Sequence, residues 1–156
     1  MDRETVPVAT VIDELEAAQE LVATRDELLR TAVRCIEGAN PRYDWVGIYL
    51  LEEDTLVLHS YVGRPTEHAE IPVGVGVCGA AIAEGRDMNV PDVRAIENYL
   101  ACSLESRSEL VILIQDRASE RIFGQIDLDS DRADAFTVED ERTLRRIADW
   151  LATLFV

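Results

Sequence analysis

The sequence predicts an α+β domain in which an antiparallel sheet carries the N- and C-terminal helices on one face and a loop-covered ligand pocket on the other. Three observations predict it. Apolar residues recur at helical spacing near both ends of the chain, strand-like runs between them fall into two hairpins, and a long excursion separates those hairpins. At 156 residues the chain has the length of one domain, enough to remove roughly two thirds of its unfolded surface from water.

Residues 1–10 read as an N-terminal extension. Over 11–38, "VIDELEAAQELVATRDELLRTAVRCIEG", apolar Leu15, Val22, Leu29, Val33 and Ile36 form a helical stripe that Gly38 and Pro41 stop. Cys35 lies on that stripe and reads as core packing. Residues 43–156 hold the sheet, the pocket and the C-terminal helix. "YDWVGIYLLEEDTLVLHSYVG" is a hairpin with its tip at Glu52 to Asp54. Alternation in its first strand puts Val46, Ile48 and Leu50 on the core face and Trp45, Gly47 and Tyr49 on the other. Two rings around a residue without a side chain predict either a hollow for a small ligand or a packed aromatic cluster.

Gly74 and Gly76 then mark a tight turn, and Val77 to Glu84 reads as a short helix stopped by Gly85. "GVGVCG" lacks the third glycine and the preceding strand of a dinucleotide-binding loop. From Arg86 to Ser106 no period persists, which predicts a functional loop of about 20 residues. "ELVILIQ" and "RIFGQIDLDS" form the second hairpin, joined by Asp116 to Glu120. Thr137 caps the last helix, whose first turn carries Glu139, Asp140 and Glu141 and whose buried stripe runs Leu144, Ile147, Trp150 or Leu151, and Leu154.

Composition excludes several classes of function. The chain has 31 acidic residues against 15 basic ones, every basic residue is Arg, and the formal charge is -16. Such a field repels nucleic-acid phosphates and anionic membranes, so neither is an expected partner. Lysine-free acidity of this kind resembles proteins of high-salt cytoplasms, where a Debye length of about 3 Å at molar salt mutes self-repulsion. No apolar run approaches the roughly 20 residues that a membrane helix needs. "MDRETVPVATVIDELEAA" has neither a basic nor an apolar signal region. A cytoplasmic location, where thiols stay reduced, follows as the expectation.

The chemistry-bearing residues cluster around the predicted pocket. In "GQIDLDS", Ile126 and Leu128 would face the helices while Asp127 and Asp129 project together into the pocket, and Glu109 opens the neighbouring strand. Carboxylates this close raise one another's pKa, so one of them would hold a proton near neutrality and could act as a general acid. Acid-rich chains also produce such pairs by chance. Cys78 and Cys102 flank the same pocket. A helix N-terminus would lower the Cys78 pKa, and neighbouring acids would raise that of Cys102. A thiol beside protonated carboxyls can attack a centre whose leaving oxygen those carboxyls protonate. With no C-x-x-C and only His59 and His68, neither a metal nor a cofactor is expected.

"YDWVGIYLL", "IPVGVGVCGAAIA", "VPDV", "LACSLESRSELV" and "GQIDLDS…AFTVEDERTL" resemble the free methionine-(R)-sulfoxide reductases, a family built on the GAF fold, over nearly three quarters of the chain. The resemblance implies Cys102 as the nucleophile that attacks the sulfoxide sulfur. It implies Glu109, Asp127 and Asp129 as the carboxylates that hold the sulfoxide oxygen and the amino end of free methionine and supply protons. Trp45 and Tyr49 would wall the thioether end. A sulfenic acid on Cys102, a disulfide with a second thiol and reduction by a thioredoxin-like or small-thiol reductant would follow. The chain departs from the family in carrying His68 where many members have a further cysteine, ten positions before Cys78, so Cys78 or a solution thiol would resolve the sulfenic acid. Around Cys102, Leu100 and Ser103 stand where the family usually shows His and Asp. The family also implies a homodimer through the helices. Two other readings stay open: a sensing GAF domain without turnover, which such a short chain disfavours, and an interaction protein switched by a Cys78–Cys102 disulfide.

Overall fold

The computed structural model describes residues 8–95 and 106–156. Its centre is a six-stranded antiparallel sheet in the order β3-β2-β1-β6-β5-β4. The two predicted hairpins form it: β1 (Trp45–Glu52) with β2 (Thr55–Val62), and β5 (Ser108–Gln115) with β6 (Ile122–Ser130). They join through β1 and β6, so the hairpins supply the four inner strands.

Two three-residue strands, β3 (Glu70–Pro72) and β4 (Met88–Val90), edge the sheet where the sequence predicts none. Too short to show alternation, they exist through pairing, Leu56 opposite Ile71 and Asn89 opposite Leu110. The predicted loop from Arg86 to Ser106 therefore begins with β4 and a single 3-10 turn at Val93–Ala95. Asp87 fixes that edge: its Oδ1 accepts from the Leu113 amide at 2.8 Å, and both its oxygens accept from Arg145 of the last helix at 2.6 and 2.7 Å.

The single N-terminal helix predicted over 11–38 is two helices, α1 (Val8–Glu20) and α2 (Arg25–Ala39). Val22, assigned to the buried stripe, is 87% exposed with φ +63° in the turn between them. Thr24 restarts the helix. Its hydroxyl accepts from the Glu27 amide, and Asp26 and Glu27 place negative charge at the N-terminus. Leu15, Leu29, Val33 and Ile36 are buried as predicted. Helix α4 (Val138–Ala152) starts with a capping box between Thr137 and Asp140, and it buries Leu144, Ile147 and Leu151, with Trp150 packed at the margin. Among the described residues, no helix is long and apolar enough to cross a membrane.

The sheet separates two apolar clusters. Against one face, α1, α2 and α4 bury Val46, Ile48, Leu110, Ile112, Ile126 and Leu128. On the other face, Trp45, Tyr49, Leu56, Val111 and Leu113 pack under α3 (Gly76–Glu84) and the 3-10 turn. Strand alternation divides the residues as predicted, so the acids of β6 lie on the second face. Gly85 ends α3 in the left-handed conformation at φ +65°. Gly79 lets α3 approach the turn after β3, since a Cβ there would stand 2.6 Å from the Pro72 carbonyl oxygen.

Candidate active site

The pairing register sets the site. On β6, Asp129 lies opposite Trp45 of β1 and Glu109 of β5, and Asp127 lies opposite Gly47 and Val111. Directly paired residues share a face, so the three carboxyls stand together beneath α3. All three are buried, with Glu109, Asp127 and Asp129 exposed by 2%, 0% and 1%. Cys78, in the first turn of α3, is 4% exposed and donates its thiol to Glu109 Oε2 across 3.6 Å. Cys78 Sγ and carboxylate oxygens of Glu109 and Asp127 all lie within 4.8 Å of one another.

The electrostatics follow from this crowding. Burial pushes the Glu109 pKa well above the ordinary carboxylate value, the charges of Asp127 and then Asp129 push it further, and a hydrogen bond with Asp127 acts in the same direction. The bond from Cys78 opposes the shift. A raised pKa favours the protonated form, the form that a general acid needs. The same Cys78, Glu109 and Asp127 atoms are close enough to converge on one cation, the one such group among the described residues.

Trp45 and Tyr49 flank the acids, but the hollow expected between them over Gly47 is filled. A Cβ on Gly47 would stand 2.3 Å from Trp45 Cη2, so the indole lies flat across the glycine. Its Nε1 donates to the Arg64 carbonyl at 3.1 Å, and Tyr61 stacks on it with ring centroids 5.5 Å apart. Tyr49 is tilted 32° to it at 6.5 Å and donates its hydroxyl to the His68 carbonyl at 2.8 Å. The aromatic cluster weighed against the hollow is what forms. A surface cleft of about 580 Å³ opens at the β4–β5 edge, lined by Asp87, Arg117 and Arg145, and touches none of the site residues.

Cys102 lies outside the described residues, as do its neighbours from 96 to 105. Described residues on either side of that segment are hydrogen-bonded to the fold. The Val93 amide donates to the Arg107 carbonyl at 2.8 Å, and the Arg107 amide donates to the carbonyl of Ser130, next to Asp129, at 2.7 Å. Cys35 is remote from the site; its thiol donates to Glu14 at 2.9 Å, and burial pushes its pKa up to about 11. One polar residue of the acid face stands outside the predicted set: Gln125, two positions before Asp127 on the same strand and fully buried. Strand alternation in "GQIDLDS" already places it there.

A six-stranded antiparallel sheet with helices on one face and a short helix on the other is the architecture of a GAF domain, and the GAF domain family model matches residues 24–154. The free methionine-R-sulfoxide reductase of Escherichia coli is 40% identical over 104 residues, covering 67% of this chain and 61% of its own length. A type II free methionine-R-sulfoxide reductase from Thermoplasma acidophilum superposes with a TM-score of 0.76 at 37% identity, covering 90% of this chain and 93% of that one. The free methionine-R-sulfoxide reductase of Neisseria meningitidis, solved in complex with its substrate, gives 0.81 at 32% identity over 95% of this chain and 89% of that one. The chain belongs to the free methionine-R-sulfoxide reductase family of GAF domains.

Proposed function

We propose that this protein reduces free L-methionine-(R)-sulfoxide to methionine, with Cys102 as nucleophile and Cys78, Glu109, Asp127 and Asp129 completing the catalytic set. The observation that carries the reading is the buried meeting of the Cys78 thiol with the Glu109 and Asp127 carboxyls. Relatives named for this reaction support it. Cys102 stands four positions before Ser106, and at about 3.5 Å per residue a tether of that length reaches at most roughly 14 Å.

The Cys102 thiolate attacks the sulfoxide sulfur while protonated Glu109 donates to its oxygen, weakening the S–O bond. The S–S bond formed by this attack then breaks as the hydroxyl passes from the methionine sulfur to the Cys102 sulfur, releasing methionine and leaving a sulfenic acid, so the substrate gains the two electrons that the thiol loses. Asp127 and Asp129 attract the substrate ammonium, and the packed Trp45–Tyr49 cluster borders its thioether end. The Cys78 thiol then attacks the sulfenic sulfur, forming a disulfide and releasing water. A thioredoxin-like dithiol or a small thiol restores both cysteines and is itself oxidised. Because Cys78 is buried, that reductant attacks on the Cys102 side. No cofactor takes part, and a cytoplasmic homodimer in a saline cell is the assembly and setting this reading carries.

Incubating the purified protein with methionine-(R)-sulfoxide and dithiothreitol is expected to yield methionine, and Cys102→Ser to abolish it. Activity that survives Cys102→Ser removes the proposed nucleophile. Substrate binding without methionine formation would make the domain a sensor.

A further inference from the structure

Gln125 is fully buried on β6, and neither its amide nitrogen nor its amide oxygen has a hydrogen-bond partner. Burying such groups unpaired costs about 1–3 kcal/mol each, so a native structure that keeps one there needs a reason. Its pairing partners fix its direction. Gln125 lies directly opposite Tyr49 of β1 and Leu113 of β5, and both side chains belong to the cluster beneath α3. Its amide therefore stands on the same face as Asp127, one pleat further along, about 7 Å away at the Cα level.

The order along β6 is then an amide, a carboxyl and a second carboxyl at positions 125, 127 and 129. Glu109 is paired with Asp129, yet it hydrogen-bonds Asp127 and Cys78, so its carboxyl leans toward the Gln125 end. That end is bounded by Tyr49 and carries the proton donor. The other end carries Asp129. A zwitterion with a polar sulfur group at its tail fits this gradient, its ammonium toward Asp129 and its S=O toward Glu109 and Gln125.

We propose that Gln125 is a substrate-binding residue that donates its amide N–H to the sulfoxide oxygen and so selects the sulfoxide over the thioether product. This rests on the reductase reading above. A sulfoxide oxygen is a strong acceptor, whereas the sulfur of methionine is a weak one. The bond exists with substrate and disappears with reduction, so the buried amide is satisfied in the substrate complex and unsatisfied again with product. A site that offers a hydrogen bond to one ligand discriminates against the analogue lacking the group, because its own polar atoms are left unpaired.

The test uses the full chain carrying Cys102→Ser, so that ligand binds without turnover. Calorimetric titration with methionine-(R)-sulfoxide and with methionine compares this parent with versions also carrying Gln125→Met or Gln125→Leu. Thermal unfolding of each establishes that it folds, and losing an unpaired buried amide is expected to raise rather than lower the midpoint. The expected result is a loss of sulfoxide affinity of about tenfold or more, the scale of one net hydrogen bond, with methionine affinity unchanged. Equal changes for both ligands, or none, in a parent that binds the sulfoxide would overturn the assignment and leave Gln125 holding a buried water only. A folded parent that does not bind the sulfoxide overturns the reductase reading, and this inference with it.

Discussion

In the proposed reaction Glu109 supplies the proton that the leaving oxygen takes. Its pKa is raised above the ordinary 4.5 by burial, then by the Asp127 and Asp129 charges. Between the unfolded and the folded pKa, the native state holds a proton that the unfolded state has lost. Stability is therefore greatest below the unfolded value and falls as pH rises through the folded one. Glu109→Gln keeps the shape and removes the titration, so its unfolding midpoint is expected to change less than that of the wild type from pH 5 to 9. Near neutrality and above, it is expected to gain roughly 0.5–2 kcal/mol in stability, the usual return from relieving an active-site strain, while losing activity. A proton donor of this kind contributes about 10²–10⁴-fold, and turnover measured with saturating reductant checks that loss. A wild-type rate that stays flat as pH rises beyond the stability decline would remove Glu109 as the acid. Cys78→Ser separates the two half-reactions. It is expected to release one methionine per chain in a burst and then slow on the order of tenfold or more with a dithiol reductant, because resolution then waits for an outside thiol. The acid cluster was legible because period-two alternation in "GQIDLDS" sends 127 and 129 to one face. The flat indole over Gly47 was not, because alternation gives the face a side chain occupies and not the direction in which it leans.

At the scale of elements, the contact between α3 and the turn after β3 holds Cys78 over the acids. Gly79 permits that contact, with room for no Cβ beside the Pro72 carbonyl and the Gly74 backbone. Gly79→Ala is expected to cost about 1–3 kcal/mol, as overpacking against rigid backbone does. It should lift the helix, lowering kcat more than the lost stability alone would, and chemical denaturation alongside kinetics checks both. The two hairpins could be read from the sequence because each strand is eight or nine residues long and carries apolar, β-branched and aromatic residues bounded by polar turns. β3 and β4 could not, because three residues carry no period and only their partners make them strands. The break between α1 and α2 lay in plain view as Thr24-Arg25-Asp26-Glu27, a T-x-x-E start signal. The apolar stripe that continued through Val22 hid it.

Over the whole molecule, 31 acids face 15 arginines, so at least half the carboxyls have no basic partner of their own. The arginines that pair at the surface, such as Arg64 with Asp131 and Arg142 with Glu139, add little individually. Self-repulsion is the larger effect, and salt screens it. Moving from 0.1 to 2 M KCl is expected to raise the unfolding temperature by on the order of 5–10 °C, since the Debye length falls to a few Å. An unchanged temperature would separate the acidic composition from any saline habitat. The reductase reading itself depends on the whole chain, because its nucleophile comes from the segment between Ala95 and Ser106 and its acids from the sheet. Intact-mass spectrometry of the fully reduced protein, treated with methionine-(R)-sulfoxide in the absence of reductant and then digested, tests that union directly. The account predicts a loss of two hydrogens, a Cys78–Cys102 linked peptide and one methionine released per chain. An unchanged mass with no methionine released would contradict it.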